Sequence, residues 1–460
     1  MKQWRSVRLS VVIYLVALVV RVVYNITVAR NYIPMFDAAL YNTLAHNLVD
    51  RGCYCLYGLQ QSVSRPPLWP FVIALIYTLA GKVLFYVQVF YSFLGAGTCV
   101  IVFLFTRDLF GHKAAVFSGT LASVYPCLFV YDGWLYTESL YTFFLTAFVY
   151  SLYKLQYTPR LPSYSIQLNR TKRAWLMFLQ RRWAIACGIL IGLAALTRPN
   201  GIFLIGLVVV WGAFVMRAKI LAWKIVLRDV LIILCLAVLL VLPWTYRNYQ
   251  ITHTFVPVST GIGEVLKGVY NDNALKANGQ WSPPPHSTSH DFSGYTPAND
   301  AQDTSTAFTW IGTHLSALPY LLGLHFLNMW IPYTYSHGLA FEESSVSSQT
   351  FLLMVVLIYV TAIFVIASAV FGLICTWKRR RQQLLAVYLL LACIIGQNMI
   401  FYGDMRFRAP IEPVLVVLAG GAMWWFMQQR PRPFHGMRDY AQVEQGEEKF
   451  AWNIRHLPPP

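Results

Sequence analysis

Apolar runs, many close to 20 residues, alternate along this chain with short polar or basic stretches. A helix rises about 1.5 Å per residue, so roughly 20 apolar residues cross the ~30 Å hydrocarbon core of a bilayer. Ten segments are read as spans: 9–29, 83–106, 114–131, 139–153, 183–196, 202–216, 229–246, 351–377, 384–402 and 410–427. The stretch 67–81 is apolar but short, which suits an interfacial or re-entrant helix. Residues 314–330 carry apolar positions at helical spacing, broken by His314, His325 and Asn328, which suits a helix lying in the interface. Residues 282–306 are rich in Pro, Ser, Thr, Asp and Asn and predict a mobile loop. The expected fold is an all-α polytopic membrane protein with about ten spans. One transmembrane domain covers 1–430, with a first outer loop over 30–82 and a long outer loop over 247–350. A polar cytoplasmic tail covers 431–460.

Composition supports this class. The chain of 460 residues is 57% hydrophobic and 12% charged, with a mean hydropathy of +0.51, which is not a soluble composition. The net charge of +17 suggests nucleic acid only until the basic residues are placed. Of the 36 Lys and Arg, 25 fall in segments assigned to the inside and 10 outside, as the positive-inside rule requires. There is no basic stripe interleaved with aromatics, so no nucleic-acid partner is expected. The bias sets both termini on the cytoplasmic side of a plasma (inner) membrane, with multiple passes. Counting 67–81 as a span would place the basic stretches 154–182 and 378–381 outside. Lys2, Arg5 and Arg8 precede a first span that lacks a small-residue cleavage site, so it reads as an uncleaved anchor. Cys99, Cys187, Cys235, Cys375 and Cys393 lie in apolar runs and read as small buried residues. Cys53 and Cys55 are one residue apart, too close for an ordinary disulfide.

Candidate chemistry gathers in the first outer loop. A helix starting after Pro34 puts Asp37 in its first turn, where the helix N-terminus favours a carboxylate, and Tyr41 four residues on along the same face. Arg65 follows in Ser64-Arg65-Pro66-Pro67, stiffened by its prolines. An ionised carboxylate can activate a hydroxyl, and a guanidinium can hold a phosphate as a bidentate partner. The blander alternatives are a helix cap for Asp37 and a lipid-headgroup anchor for Arg65. Asp132 and Glu138 are the acids of a tight outer turn; Asp132-Gly133 also suits a plain turn, whereas Glu138 opens an apolar span and needs a partner. Arg198, Arg247, Arg406 and Arg408 stand at outer ends of spans, either as snorkelling anchors or together as a cationic pocket, with Asp404 neutralising Arg406. Arg21 lies within the first span and suits snorkelling or a pair inside the bundle. His253, His286, His290, His314, His325 and His337 fall in the long outer region with no metal-ligand spacing, so no metal is assigned. No cofactor is called for; a divalent cation is the one addition left open.

Taken together these residues resemble the GT-C superfamily of polyprenyl-phosphate-sugar-dependent glycosyltransferases, in the bacterial branch related to protein O-mannosyltransferases and aminoarabinose transferases. The resemblance rests on Asp37-x-x-x-Tyr41 with Ala45 and Leu48, Arg65-Pro66-Pro67, Leu109-Phe110-Gly111, Tyr125-Pro126 and Glu138. It continues through Gly192-Leu193, Leu196-Thr197-Arg198-Pro199, Pro243-Trp244, Arg247-Asn248-Tyr249, Arg406-Phe407-Arg408 and Pro410-Ile411-Glu412-Pro413. The resemblance implies that Asp37 is the general base of inverting sugar transfer and that Tyr41 lines the site. It implies that Arg65 meets the donor phosphate, and that Arg198, Arg247, Arg406 and Arg408 line the cavity. Asp132 and Glu138 join these as candidate binding residues. Related eukaryotic enzymes carry an Asp-Glu pair in this loop, whereas here Ala38 follows Asp37. The implied donor is a polyprenyl-phosphate-linked sugar, and the acceptor is an envelope glycan, lipid or protein on the outer face. The alternatives are a lipid or sugar transporter (flippase), which predicts paired repeats and broken helices, and a polymerase or ligase using a lipid-diphosphate donor.

Overall fold

The computed structural model describes residues 2–58, 60–157, 170–283, 295–335, 339–343 and 346–429, with the side chains of 2–5 and 170–180 outside the description. The expected tail, most of the basic stretch within 154–182, and His286, His290 and His337 lie outside the described residues. The described residues hold no strand, only a lone bridge between Cys55 and Gln61. The helices are α1 Lys2–Thr27, α2 Phe36–Arg51, α3 Leu68–Ala80, α4 Leu84–Phe110, α5 His112–Val124, α6 Glu138–Tyr157, α7 Arg170–Thr197, α8 Phe203–Arg217 and α9 Trp223–Thr252. They continue with α10 Ile262–Val269, α11 Asp272–Lys276, α12 Pro297–Thr313, α13 Leu318–Trp330, α14 Ala340–Glu343, α15 Ser348–Arg380, α16 Leu385–Ile400, α17 Met405–Arg408 and α18 Glu412–Gln429.

All ten segments expected to span are helical, wholly or in large part. By length and composition, six helical segments among the described residues suffice to cross a membrane: Ser6–Thr27, Leu84–Phe110, Pro199–Arg217, Trp223–Thr252, Ser348–Arg380 and Met405–Gln429. The chain is a multi-pass, all-helical membrane protein in form. α5 is shorter than expected because Tyr125-Pro126 takes the backbone out of the helix into short 3-10 turns through Gly133. The short apolar stretch after Pro67 is helical over 13 residues, as its length predicted.

Three expectations are corrected. Residues 297–306 are not a loop: Thr296 caps α12, its Oγ1 accepting from the Asn299 amide while the Asn299 side chain accepts from the Thr296 amide. Cys53 and Cys55 are joined as a disulfide, with Cα atoms 5.4 Å apart. Cys235 lies on the exposed face of α9.

The core sits where α4, α5, α6 and α18 meet α1 and α15. Gly372 lets α15 close on the Leu418 carbonyl of α18, where a Cβ would collide. Arg21 crosses the interior from α1 to Asp132 at 2.9 Å, with both side chains fully buried. Gly95 of α4 leaves the room for this pair, since a Cβ there would strike both side chains.

Candidate active site

α2 begins where Met35 holds the chain extended, and its first residue, Phe36, takes a φ of 50°. That left-handed value is strained for a bulky residue and re-aims the chain just before Asp37. Arg65 reaches Asp37 from a braced loop. The Tyr54 hydroxyl donates to the carbonyls of Arg65 and Pro66 at 3.1 and 3.0 Å, and its ring packs edge-on against Trp244 of α9. Arg406 arrives on α17. Asp404 caps that turn, its Oδ1 accepting from the Arg406 amide at 2.8 Å, and Thr334 donates to its other oxygen at 3.0 Å. Arg198 and Glu138 sit where α7 ends and α6 begins. These positions follow α1, open α6, and end α7 and α16, so successive antiparallel helices deliver them to one end of the bundle.

The five charges form a continuous network. Arg65 Nη2 donates to Asp37 Oδ1 at 3.0 Å, and Arg406 Nη2 to Asp37 Oδ2 at 3.3 Å. Arg406 Nε and Arg198 Nη2 both donate to Glu138 Oε1. Arg198 Nε also donates to Thr137 Oγ1 at 2.6 Å. The Arg406 guanidinium lies 4.2 Å from the centre of the Tyr136 ring. Tyr41 is buried beside the network and feels the charges of Asp37, Arg65, Arg198 and Arg406. Asp37 is 33% exposed and Glu138 1%. That difference separates their roles: Asp37 can meet a second molecule, whereas Glu138 anchors Arg198 and Arg406 from behind.

Burial pushes the Asp37 carboxyl up, but Arg65 and Arg406 outweigh it and hold it below the ordinary range. Burial opposes the charge on Arg65 as well, and Asp37 beside it helps to more than restore it. Burial lifts the Tyr41 hydroxyl to about 12, so it stays protonated and able to donate. A carboxylate that remains ionised can take up a proton, and the guanidiniums beside it can steady an anion.

Three sequence candidates lie apart from this network. Asp132 is fully buried, paired with Arg21, and accepts from Ser139 Oγ at 2.6 Å. Arg408 is fully buried against Glu412 at 2.6 Å and donates to the carbonyls of Met329 and Ile331. Both hold the bundle together and neither faces the site. Arg247 donates to the Ser62 carbonyl and to Gln61 Oε1, both at 2.6 Å, and lies over the Trp244 ring. It ties down the loop that carries Arg65 without touching Asp37. The described His253, His314 and His325 do not converge, and no three His, Cys, Asp or Glu side chains among the described residues could hold a metal.

One residue was missed. Glu264, in the first turn of α10, feels the charges of both Arg65 and Asp37. The sequence signal was faint: a single acid after Gly261-Ile262-Gly263 in a region read as long outer loop.

Fold and network together define a polytopic membrane protein with a charged site at one end of its bundle. A family model described as dolichyl-phosphate-mannose-protein mannosyltransferase matches residues 64–168. A search of curated proteins finds no match. The archaeal oligosaccharyltransferase AglB from Archaeoglobus fulgidus, solved with an inhibitory peptide and a dolichol-phosphate, aligns with a TM-score of 0.55 at 13% identity. That alignment covers 99% of this chain and 54% of that one. The apo form of the A. fulgidus oligosaccharyltransferase aligns with a TM-score of 0.55 at 14% identity, over 97% of this chain and 52% of that one. The chain thus spans about half the length of these proteins. At the level of fold it is similar to these oligosaccharyltransferases, all-helical and polytopic.

Proposed function

We propose that this chain is an inverting glycosyltransferase that moves a sugar from a polyprenyl-phosphate donor to a hydroxyl of an envelope glycan, lipid or protein, on the outer face of the membrane. The observation that carries this reading is the Asp37 carboxylate, one-third open to solvent and shared between two guanidiniums. The family match over residues 64–168 and the GT-C fold support it. In the proposed step Asp37 takes the proton of the acceptor hydroxyl. The acceptor oxygen bonds to the anomeric carbon from the face opposite the leaving group, and the bond from that carbon to the phosphate oxygen breaks. The lipid phosphate departs with a further negative charge, which Arg65 and Arg406 meet. As the phosphate engages these arginines, their hold on Asp37 loosens and its basicity rises when a base is needed.

The test compares envelope glycans by mass spectrometry with and without the protein, then with Asp37→Asn. A glycan that vanishes in both strains supports the proposal. A glycan pattern that never depends on the protein removes it.

A further inference from the structure

Glu264 has no part in the reading above, yet it lies within electrostatic reach of the two residues that reading uses most. The start of α10 is docked on the segment that carries Arg65. The Thr260 amide donates to the Val63 carbonyl at 3.0 Å, and a Cβ at Gly261 would lie 3.8 Å from Arg65 Nη1. From the other side, Asp300 of α12 fixes the same turn, its Oδ1 accepting from the Gly261 and Gly263 amides at 2.9 and 2.7 Å. Glu264 is therefore held at the junction of three elements, half-buried, in a turn that cannot drift from Arg65.

The groups facing it come from each of those elements. Arg65 and Asp37, from the first loop and α2, and Asp300 and Asp303, from α12, act on it through their charges. Tyr295 faces it from the residues before α12. Lys267, on its own helix, is engaged by Asp303 at 2.8 Å. Burial and the three neighbouring acids disfavour a carboxylate here, and Arg65 alone of these groups favours one, so the carboxyl is pushed up to about 7. The network itself pairs three guanidiniums, Arg65, Arg198 and Arg406, with two carboxylates, Asp37 and Glu138. It holds one positive charge in excess when Glu264 is neutral, and none when Glu264 is ionised.

We propose that Glu264 is a positioning residue for the donor: as a carboxylate it draws on Arg65, and by taking a proton from water it yields Arg65 to the donor phosphate. The inference rests on the donor proposed above. A phosphodiester brings a single negative charge, which the network accommodates when Glu264 is neutral. Donor affinity is then highest in acid and falls as pH rises through about 7.

The experiment measures binding of the methyl diester of undecaprenyl phosphate to the full chain in nanodiscs, between about pH 5.5 and 8.5. The diester has no proton of its own to lose in that range. The expected result is a roughly tenfold loss of affinity for the natural protein across the range, the size of one charge contact at a half-buried site. Glu264→Gln should bind tightly with no pH dependence, and Glu264→Asp should restore the fall. A Gln variant that keeps the natural fall, or a natural protein with a flat profile, overturns the role of Glu264 while leaving the donor reading intact. Failure of the diester to bind any of the proteins at any pH overturns the donor reading, and this inference with it.

Discussion

As the proposed base, Asp37 would act only when its partners leave it. Held by Arg65 and Arg406 at 3.0 and 3.3 Å, it is a weaker base than a free carboxylate. Asp37→Asn keeps the shape and removes the proton acceptor. It should lower turnover by about 10²–10⁴-fold while leaving membrane yield unchanged, measured as product formed per unit of purified protein. Unchanged turnover would take Asp37 out of the mechanism. Arg65→Ala should raise the donor KM, with Arg65→Lys intermediate, because an ammonium keeps the charge but not the bidentate geometry. An unaltered KM would reassign Arg65 to headgroup anchoring. Asp37 was legible in the sequence because Pro34 and helix periodicity place it, and Arg65 because its prolines pin it. Asp132 and Arg408 were misplaced for a shared reason. A charge at the end of a span looks the same in sequence whether it faces a ligand or turns inward. The inward partner of Asp132 is Arg21, 111 residues away, which no local pattern announces. Glu412, four residues after Arg408, was readable as an i,i+4 pair.

At the scale of elements, the Arg21–Asp132 pair joins α1 to the turns that precede α6. Both side chains are fully buried, so removing one strands the other away from water. Asp132→Ala should therefore destabilise the protein by about 3–5 kcal/mol, read as a lower midpoint of thermal unfolding in detergent. The double change Arg21→Met with Asp132→Leu should recover most of that loss, since an apolar pair of similar volume fits the same space. A stable Asp132→Ala protein with selectively lost donor binding would return Asp132 to the site. The long elements were legible because spans repeat one simple pattern. α12 was not, since Thr296, Pro297, Asn299 and Asp300 are helix-capping residues that a window of composition cannot distinguish from a loop. Glu264 was hidden by the same error: without α12 there is no Asp300 to hold the turn of α10 against Arg65.

For the whole molecule, the proposed outer-face placement of the site is supported by α15. Its 33 residues make a rod about 50 Å long, so its two ends cannot share a surface. Lys378, Arg379 and Arg380 crowd its last turn, and the positive-inside rule assigns that end to the cytoplasm. α16 then returns across the bundle and ends at Ile400, only a few residues before Arg406 meets Asp37 and Glu138. On that assignment we propose that the charged network lies on the outer face, the side from which the proposed lipid-linked sugar would reach it. In a background without free cysteines, Lys276→Cys beside α10 should react with a membrane-impermeant maleimide added to intact spheroplasts. Arg379→Cys should react only after lysis. Both positions are exposed, so accessibility to the reagent decides the outcome. The opposite pattern would turn the site to the cytoplasm, and an outer-face acceptor could not then reach Asp37.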